Sequence, residues 1–192
     1  RFLRAIRTGL TASLGILALM TAGCDTAAAR PSKPRIVCTV SMVTDIVRQV
    51  LGERAEVTGL IGEGVDPHLY KPTRNDIAAM QAADVVFYSG LMLEGKMGET
   101  LEKLATRGKR VVPVTQRIDK SYLLGWPDSP GHHDPHVWMD PSAWSQCVEA
   151  VAGVVQEWLP QHKQEFADNA RRLRTELEKL DAYAKRAIGS IP

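Results

Sequence analysis

The sequence predicts an α/β protein in which a four-stranded, mainly parallel sheet is flanked by helices and followed by one long helix. Short apolar runs rich in β-branched residues alternate with segments whose apolar residues recur at helical spacing. Strands that alternate with helices form parallel sheets covered on both faces. In addition, the residues from 161 onward carry one continuous amphipathic pattern.

Each predicted strand is a short run of apolar residues. The four runs cover residues 36–40, 55–60, 85–88 and 110–114. Ser41 is the predicted cap of the helix after the first strand, which ends at Gly52. Thr73 and Asp76 resemble a capping box that opens the second helix. An apolar stripe at residues 93–104 predicts the third.

Two further helices are predicted after the last strand. Asp140 followed by Pro141 fits an N-cap with proline at the first helical position, and this helix stops near Pro160. From residue 161 onward, apolar residues spaced by four and three predict one long amphipathic helix. The spacing is also heptad-like, so a coiled-coil strand is an alternative interpretation.

The first 34 residues are predicted to direct export. Residues 1–23 combine a basic start, an apolar run of about 11 residues and small residues, as a secretory signal peptide does, and the run is too short to span a bilayer. The small residues end on Cys24 and resemble the lipobox of bacterial lipoproteins, which implies lipidation of Cys24 and anchoring in membrane lipid. An ordinary secretory peptide is the alternative, because Thr21 stands where that motif usually has leucine. Residues 24–34 are then a tether, and the protein is expected on the extracytoplasmic side, in the periplasm or at the cell surface.

Charge argues against a nucleic-acid partner, and the cysteines leave open whether the fold contains a disulfide. The chain has 24 basic and 22 acidic residues, and three of the basic residues lie in residues 1–23. Nucleic-acid binding requires a clustered basic footprint, which the remainder does not carry, so no nucleic-acid partner is expected. Cys38 and Cys147 fall in a predicted strand and a predicted helix. They are either buried thiols or a disulfide formed in an oxidising compartment.

Two loops carry histidine in the same local sequence. Asp-Pro-His occurs at residues 66–68, after the second strand, and again at residues 134–136. Ligands of open α/β sheets bind beyond the carboxyl ends of the strands, and neutral imidazole is a common ligand of zinc and other first-row metals. His68 and His136 could therefore supply two ligands to one metal. A polar surface loop is the alternative interpretation of residues 132–141.

Three neighbouring residues have secondary roles in this hypothesis. Asp66 and Asp134 either accept hydrogen bonds from the imidazoles or only form turns before proline. His133 is interpreted as a loop residue that contacts metal at most transiently.

The chain resembles the metal-binding solute-binding lipoproteins of bacterial ABC importers for zinc and manganese. The resemblance is carried by G-V-D-P-H-L-Y-K-P-T at residues 64–73, S-G-L-M-L-E at residues 89–94 and H-D-P-H-V-W-M-D-P at residues 133–141. It implies that His68 and His136 are metal ligands. It also implies two α/β lobes joined by a long helix, with the metal in the cleft between them.

On this resemblance, residues 35–160 form the N-terminal metal-binding lobe and residues 161–192 the linking helix. The second lobe and the remaining two ligands are then expected beyond residue 192.

The implied function is capture of a divalent transition metal, Mn²⁺ or Zn²⁺, and its delivery to the membrane permease of an ABC transporter. The form of the first histidine loop favours manganese within the family. The competing function is a zinc-dependent hydrolase, although no general base accompanies a three-ligand set in the sequence. A metal-binding surface adhesin is a further alternative that is compatible with transport. We expect no enzymatic activity.

Overall fold

The structure, a computed structural model, describes residues 33–127 and 130–191. The strands are β1 (Arg35–Cys38), β2 (Glu56–Gly59), β3 (Val85–Tyr88) and β4 (Arg110–Pro113). The helices are α1 (Ser41–Leu51), α2 (Arg74–Ala82), α3 (Gly98–Thr106), α4 (Pro141–Trp158) and α5 (Lys163–Gly189). The predicted signal peptide, Cys24 and most of the predicted tether lie outside the described residues.

The four strands form one parallel sheet in the order β2-β1-β3-β4. Ile36 of β1 lies between Val57 of β2 and Val85 of β3. Apart from Arg35 and Tyr88, the residues of both central strands are buried, as expected where helices cover both faces of a sheet. The prediction of an α/β protein with a four-stranded parallel sheet flanked by helices and a long C-terminal helix is confirmed.

The strand order fixes where a ligand should bind. From β1 the chain crosses to β2 on one side, and from β3 it crosses to β4 on the other. The direction of crossover therefore reverses between β1 and β3, and parallel sheets bind ligands beyond the carboxyl ends of the strands at such a reversal. Loops that follow the strands at this edge are the candidates for a site.

Helices α1, α4 and α5 pack against one another. In α5, Phe166, Ala170 and Leu173 are buried, whereas Leu180 and Tyr183 in its second half are exposed. The apolar stripe of this helix is thus only half covered within the described residues. Neither half of the helix, nor any other helix that the described residues form, has the length and apolar character of a membrane span.

Two of the predicted helix starts are confirmed by their caps. The Thr73 hydroxyl accepts a hydrogen bond from the Asp76 backbone N–H, and the Asp76 carboxylate accepts one from the Thr73 N–H, so the capping box is complete. The Asp140 carboxylate accepts hydrogen bonds from the N–H groups of the first turn of α4, in which Pro141 is the first residue.

Two other predicted helix starts are wrong. Val40 rather than Ser41 is the N-cap of α1, and no side chain caps this helix. Helix α3 begins at Gly98, although the apolar stripe predicted helix from Leu93. Leu93 is fully buried but belongs to a turn, so the apolar spacing reflected burial and not helical conformation.

Cys38 and Cys147 are free, buried thiols. Burial raises the pKa of each thiol to about 12 because the thiolate would lose its hydration. The interpretation as buried thiols is confirmed, and the disulfide alternative is wrong for this structure.

Candidate metal site

His68 and His136 lie in contact, although 68 positions of sequence separate them. His68 belongs to the loop between β2 and α2, and His136 to the segment between β4 and α4. Their Nε2 atoms are 3.2 Å apart, and the ring planes meet edge to face at 64°. The two Asp-Pro-His loops thus meet at the carboxyl edge of the sheet, where the strand order places a ligand site.

The same short turn builds both loops. The Oδ1 atom of Asp66 accepts a hydrogen bond of 2.8 Å from the backbone N–H of His68. Asp134 accepts an equivalent bond of 2.9 Å from the backbone N–H of His136. An aspartate that accepts from the N–H two residues on forms an Asx turn, and the intervening proline presets the backbone for it. Local sequence therefore sets the backbone conformation at each histidine.

The two imidazoles are nevertheless held differently. Oδ1 of Asp134 also lies 2.7 Å from Nδ1 of His136, so Nδ1 donates to the carboxylate and Nε2 is the ring nitrogen that faces His68. Hydrogen bonds from the backbone and the ring of His136 hold the pKa of Asp134 below its usual range. Asp66, in contrast, bonds only the backbone of His68 among the described residues.

An indole flanks each imidazole. The ring centroid of Trp138 lies 5.2 Å from that of His136, edge to face, and the centroid of Trp126 lies 6.1 Å from that of His68. Sequence reasoning missed Trp126. Trp126 reaches the site because its backbone N–H donates to the carbonyl of His132 in a short antiparallel pairing. No local sequence pattern predicts that pairing.

Tyr70 ties the His68 loop to the start of α2. Its hydroxyl donates a 2.8 Å hydrogen bond to Oδ2 of Asp76, the residue that completes the capping box. Burial would raise the pKa of Asp76, but the hydrogen bonds from Thr73 and Tyr70 outweigh it and lower that pKa. The first histidine loop is thus fixed at both ends, by β2 before it and by α2 after it.

His133 lies elsewhere. Its ring lines a cavity of about 770 Å³ whose lining also includes Glu94 and Lys120 but neither His68 nor His136. None of the described residues forms a hydrogen bond with its buried Nδ1 atom. His133 therefore takes no part in the pair formed by the other two histidines.

The described residues bring together two imidazole nitrogens and a carboxylate that orients one of them. In this part of the chain, no group of three or more histidine, cysteine, aspartate or glutamate side chains is arranged to hold a metal ion. Two nitrogens can bind one cation only as part of a larger ligand set, because closed protein sites for zinc usually have four ligands.

The chain is similar to known metal-binding proteins. The chain is 35% identical over 191 residues to the manganese-binding lipoprotein MntA of Bacillus subtilis, covering 97% of this chain and 61% of that protein. It is 40% identical over 166 residues to the zinc-binding protein TroA of Treponema pallidum, covering 86% of this chain and 53% of TroA. The chain thus spans about half to three fifths of the length of these relatives.

Solved structures give the same result. The periplasmic zinc-binding protein TroA of Treponema pallidum superposes with a TM-score of 0.78 at 40% identity, over 84% of this chain and 57% of that one. The Fe(III)-bound YtgA of Chlamydia trachomatis superposes with a TM-score of 0.74 at 29% identity, over 83% of this chain and 55% of that one. The sequence profile of the family described as zinc-uptake complex component A, periplasmic, matches residues 36–192. The chain therefore belongs to that family.

Proposed function

We propose that this chain is part of an extracytoplasmic solute-binding protein that captures a divalent transition metal, Mn²⁺ or Zn²⁺, and delivers it to the membrane permease of an ABC transporter. His68 and His136 are two of its metal ligands. One observation carries the proposal: two imidazole Nε2 atoms lie 3.2 Å apart at the carboxyl edge of a parallel sheet.

The separation fits two ligands of one ion. Zinc binds histidine nitrogen at about 2.0–2.1 Å, so two nitrogens of a tetrahedral site are about 3.3 Å apart. The hydrogen bond from His136 Nδ1 to Asp134 supports the same role, because ligating histidines commonly donate their second ring nitrogen to a carboxylate. His68 would bind through Nε2 as the Nδ1-protonated tautomer.

The names of the relatives support the cargo and the setting. One is a manganese-binding lipoprotein and another a zinc-binding protein, and one solved structure contains Fe(III). We place the two further ligands in a second lobe of the longer protein. We also propose that Cys24 carries a lipid that anchors the protein on the extracytoplasmic face of the membrane.

A binding function is preferred over a hydrolytic one. The matching family is described as a component of zinc uptake, and the relative MntA is a manganese-binding lipoprotein. The zinc-dependent hydrolase has no support among the relatives, and the adhesin interpretation rests on no particular contact in the structure.

The test is a calorimetric titration of the metal-free, full-length protein with Mn²⁺ and with Zn²⁺. We expect one tight equivalent. His68→Ala and His136→Ala should each weaken binding by more than the roughly 10- to 100-fold that follows loss of an outer partner. His162→Ala is the matched control, because His162 lies at the start of α5, where it faces Glu165.

Two results would overturn the proposal. One is binding that is absent or not saturable, and the other is binding that neither histidine substitution weakens. Metal-dependent turnover of simple ester or phosphoester substrates would instead favour the hydrolase. Metal content after purification without added metal would identify the cargo.

A further inference from the structure

The turn between β3 and α3 packs directly against the backbone of His68. A Cβ atom on Gly95 would lie 3.0 Å from the carbonyl oxygen of His68, closer than a side chain normally approaches an oxygen. The backbone of Gly95 lies outside the left-handed region. Glycine is therefore favoured here for space and not for conformation, and a side chain would require the turn and the His68 loop to separate by a few tenths of an ångström.

This turn, residues 89–97, stores backbone strain. Leu91 and Met92 have φ values of 52° and 67°, in the left-handed region, where the Cβ of a residue with a side chain crowds the following carbonyl oxygen. Gly90 precedes them with a φ of 92°. Strained residues persist where the surrounding contacts determine their conformation, and they concentrate at functional sites.

The carboxylate of Glu94 supplies those contacts. It is only 2% exposed. Its Oε1 atom accepts hydrogen bonds from the Thr39 hydroxyl at 2.7 Å and the Ser89 N–H at 2.6 Å, and Oε2 accepts one from the Gly90 N–H at 3.2 Å. Glu94 thereby joins the chain just after β1 to the chain just after β3, the two strands between which the crossover direction reverses.

The position of His68 depends on neighbouring segments because few bonds hold its side chain. Within the described residues, its ring makes hydrogen-bonding or aromatic contacts with His136 and Trp126, whereas the ring of His136 is also bonded to a carboxylate. The position of the His68 ring therefore depends on its backbone. That backbone is bounded by the Asx turn on one side and by Gly95 on the other.

We propose that Glu94 and Gly95 are positioning residues of the metal site, which set the distance between the two Nε2 atoms by fixing where the backbone of His68 lies. Glu94 folds the turn onto the ends of the central strands, and Gly95 lets the turn approach the His68 carbonyl. The inference rests on the proposed function and gives a role to the Ser89–Glu94 motif, which the ligand assignment leaves unexplained.

The test compares Gly95→Ala with Gly98→Ala in the full-length protein. Both changes add one methyl group to the same segment, but a Cβ on Gly98 meets nothing within 4 Å. We expect Gly95→Ala to bind Zn²⁺ roughly tenfold or more weakly and to alter the visible absorption spectrum of bound Co²⁺, which reports ligand geometry. Gly98→Ala should match the wild type in both measurements. Cooperative unfolding of each metal-free variant shows that the fold is retained.

A second pair of variants approaches the same question without adding bulk at Gly95. Glu94→Gln keeps the shape of the side chain but replaces one carboxylate oxygen with an NH₂ group. In the wild type both oxygens accept a backbone N–H, from Ser89 and Gly90. The NH₂ group cannot accept such a bond, so the turn should shift. Glu102→Gln removes the same charge from an exposed position on α3. We expect weaker metal binding and a changed Co²⁺ spectrum only in Glu94→Gln.

The outcomes separate the inference from the proposed function. If the wild type binds no metal, both fail. If the wild type binds one equivalent, and a folded Gly95→Ala or Glu94→Gln variant matches its control in affinity and spectrum, the positioning role is refuted while the ligand assignment stands.

Discussion

Replacing Asp134 with asparagine should weaken metal binding about five- to tenfold, whereas the same change at Asp66 should leave it unaltered. Both aspartates stand two residues before a proposed ligand and close the same backbone turn. Only Asp134 also accepts a hydrogen bond from the ring of its histidine. The pair therefore isolates the contribution of that one bond.

The size of the effect follows from what asparagine keeps. One oxygen of Asp134 accepts both bonds from His136, and an amide oxygen can occupy the same position, so the change removes the charge but not the geometry. A hydrogen bond to a charged group is worth about 1 kcal/mol more than a neutral one, and that corresponds to about fivefold in affinity. The Asp134 side chain is 41% exposed, which keeps the effect at or below the lower limit of the 10- to 100-fold range typical of such partners.

Competition calorimetry of the full-length protein would measure the difference. Asp134→Ala removes both bonds and should lose more affinity than Asp134→Asn, roughly 10- to 100-fold. Asp66→Asn is the control, since an amide oxygen can still accept from the backbone of His68. Equal losses from Asp66→Asn and Asp134→Asn would show that only long-range charge matters and would refute the argument.

Three further predictions concern the fold. Phe166→Ala should cost about 3–5 kcal/mol of unfolding free energy in urea, because this ring is fully buried between α5 and the core. Tyr183→Ala, on the exposed part of the same helix, should cost less than about 0.5 kcal/mol in this structure, and similar losses at both positions would contradict the burial. In a variant in which Cys24 is replaced, Cys38 and Cys147 should not react with a thiol reagent in the native protein and should react fully in denaturant. Burial in the folded state raises the pKa of both thiols to about 12. Asp76→Asn should cost about 1 kcal/mol at neutral pH. The pKa of Asp76 is lowered in the folded state, so its contribution is present above the unfolded-state value and is lost as pH falls through the folded value. The difference between wild type and variant should therefore shrink in acid.

Local signals in the sequence predicted much of this structure. The capping box at Thr73 and the N-cap at Asp140 depend on residues within one turn, and both are present. The start of α3 was mispredicted because it depends on distant residues. Glu94 bonds Thr39, which is 55 positions away, and that bond holds Leu93 in a turn although its spacing is helical.

The histidine pair shows which part of a site can be derived from topology and which part cannot. His68 follows β2 and His136 follows β4, and these are the two outer strands of the sheet. Three strand spacings separate them, about 14 Å, so a shared sheet edge alone does not bring the imidazoles into contact. Their loops must both lean inward over the ends of β1 and β3. The turn after β3 closely approaches the His68 carbonyl at Gly95. The 3.2 Å separation of the two nitrogens is therefore a property of three loops, and the sequence pattern of two Asp-Pro-His motifs specifies only the two that carry the ligands.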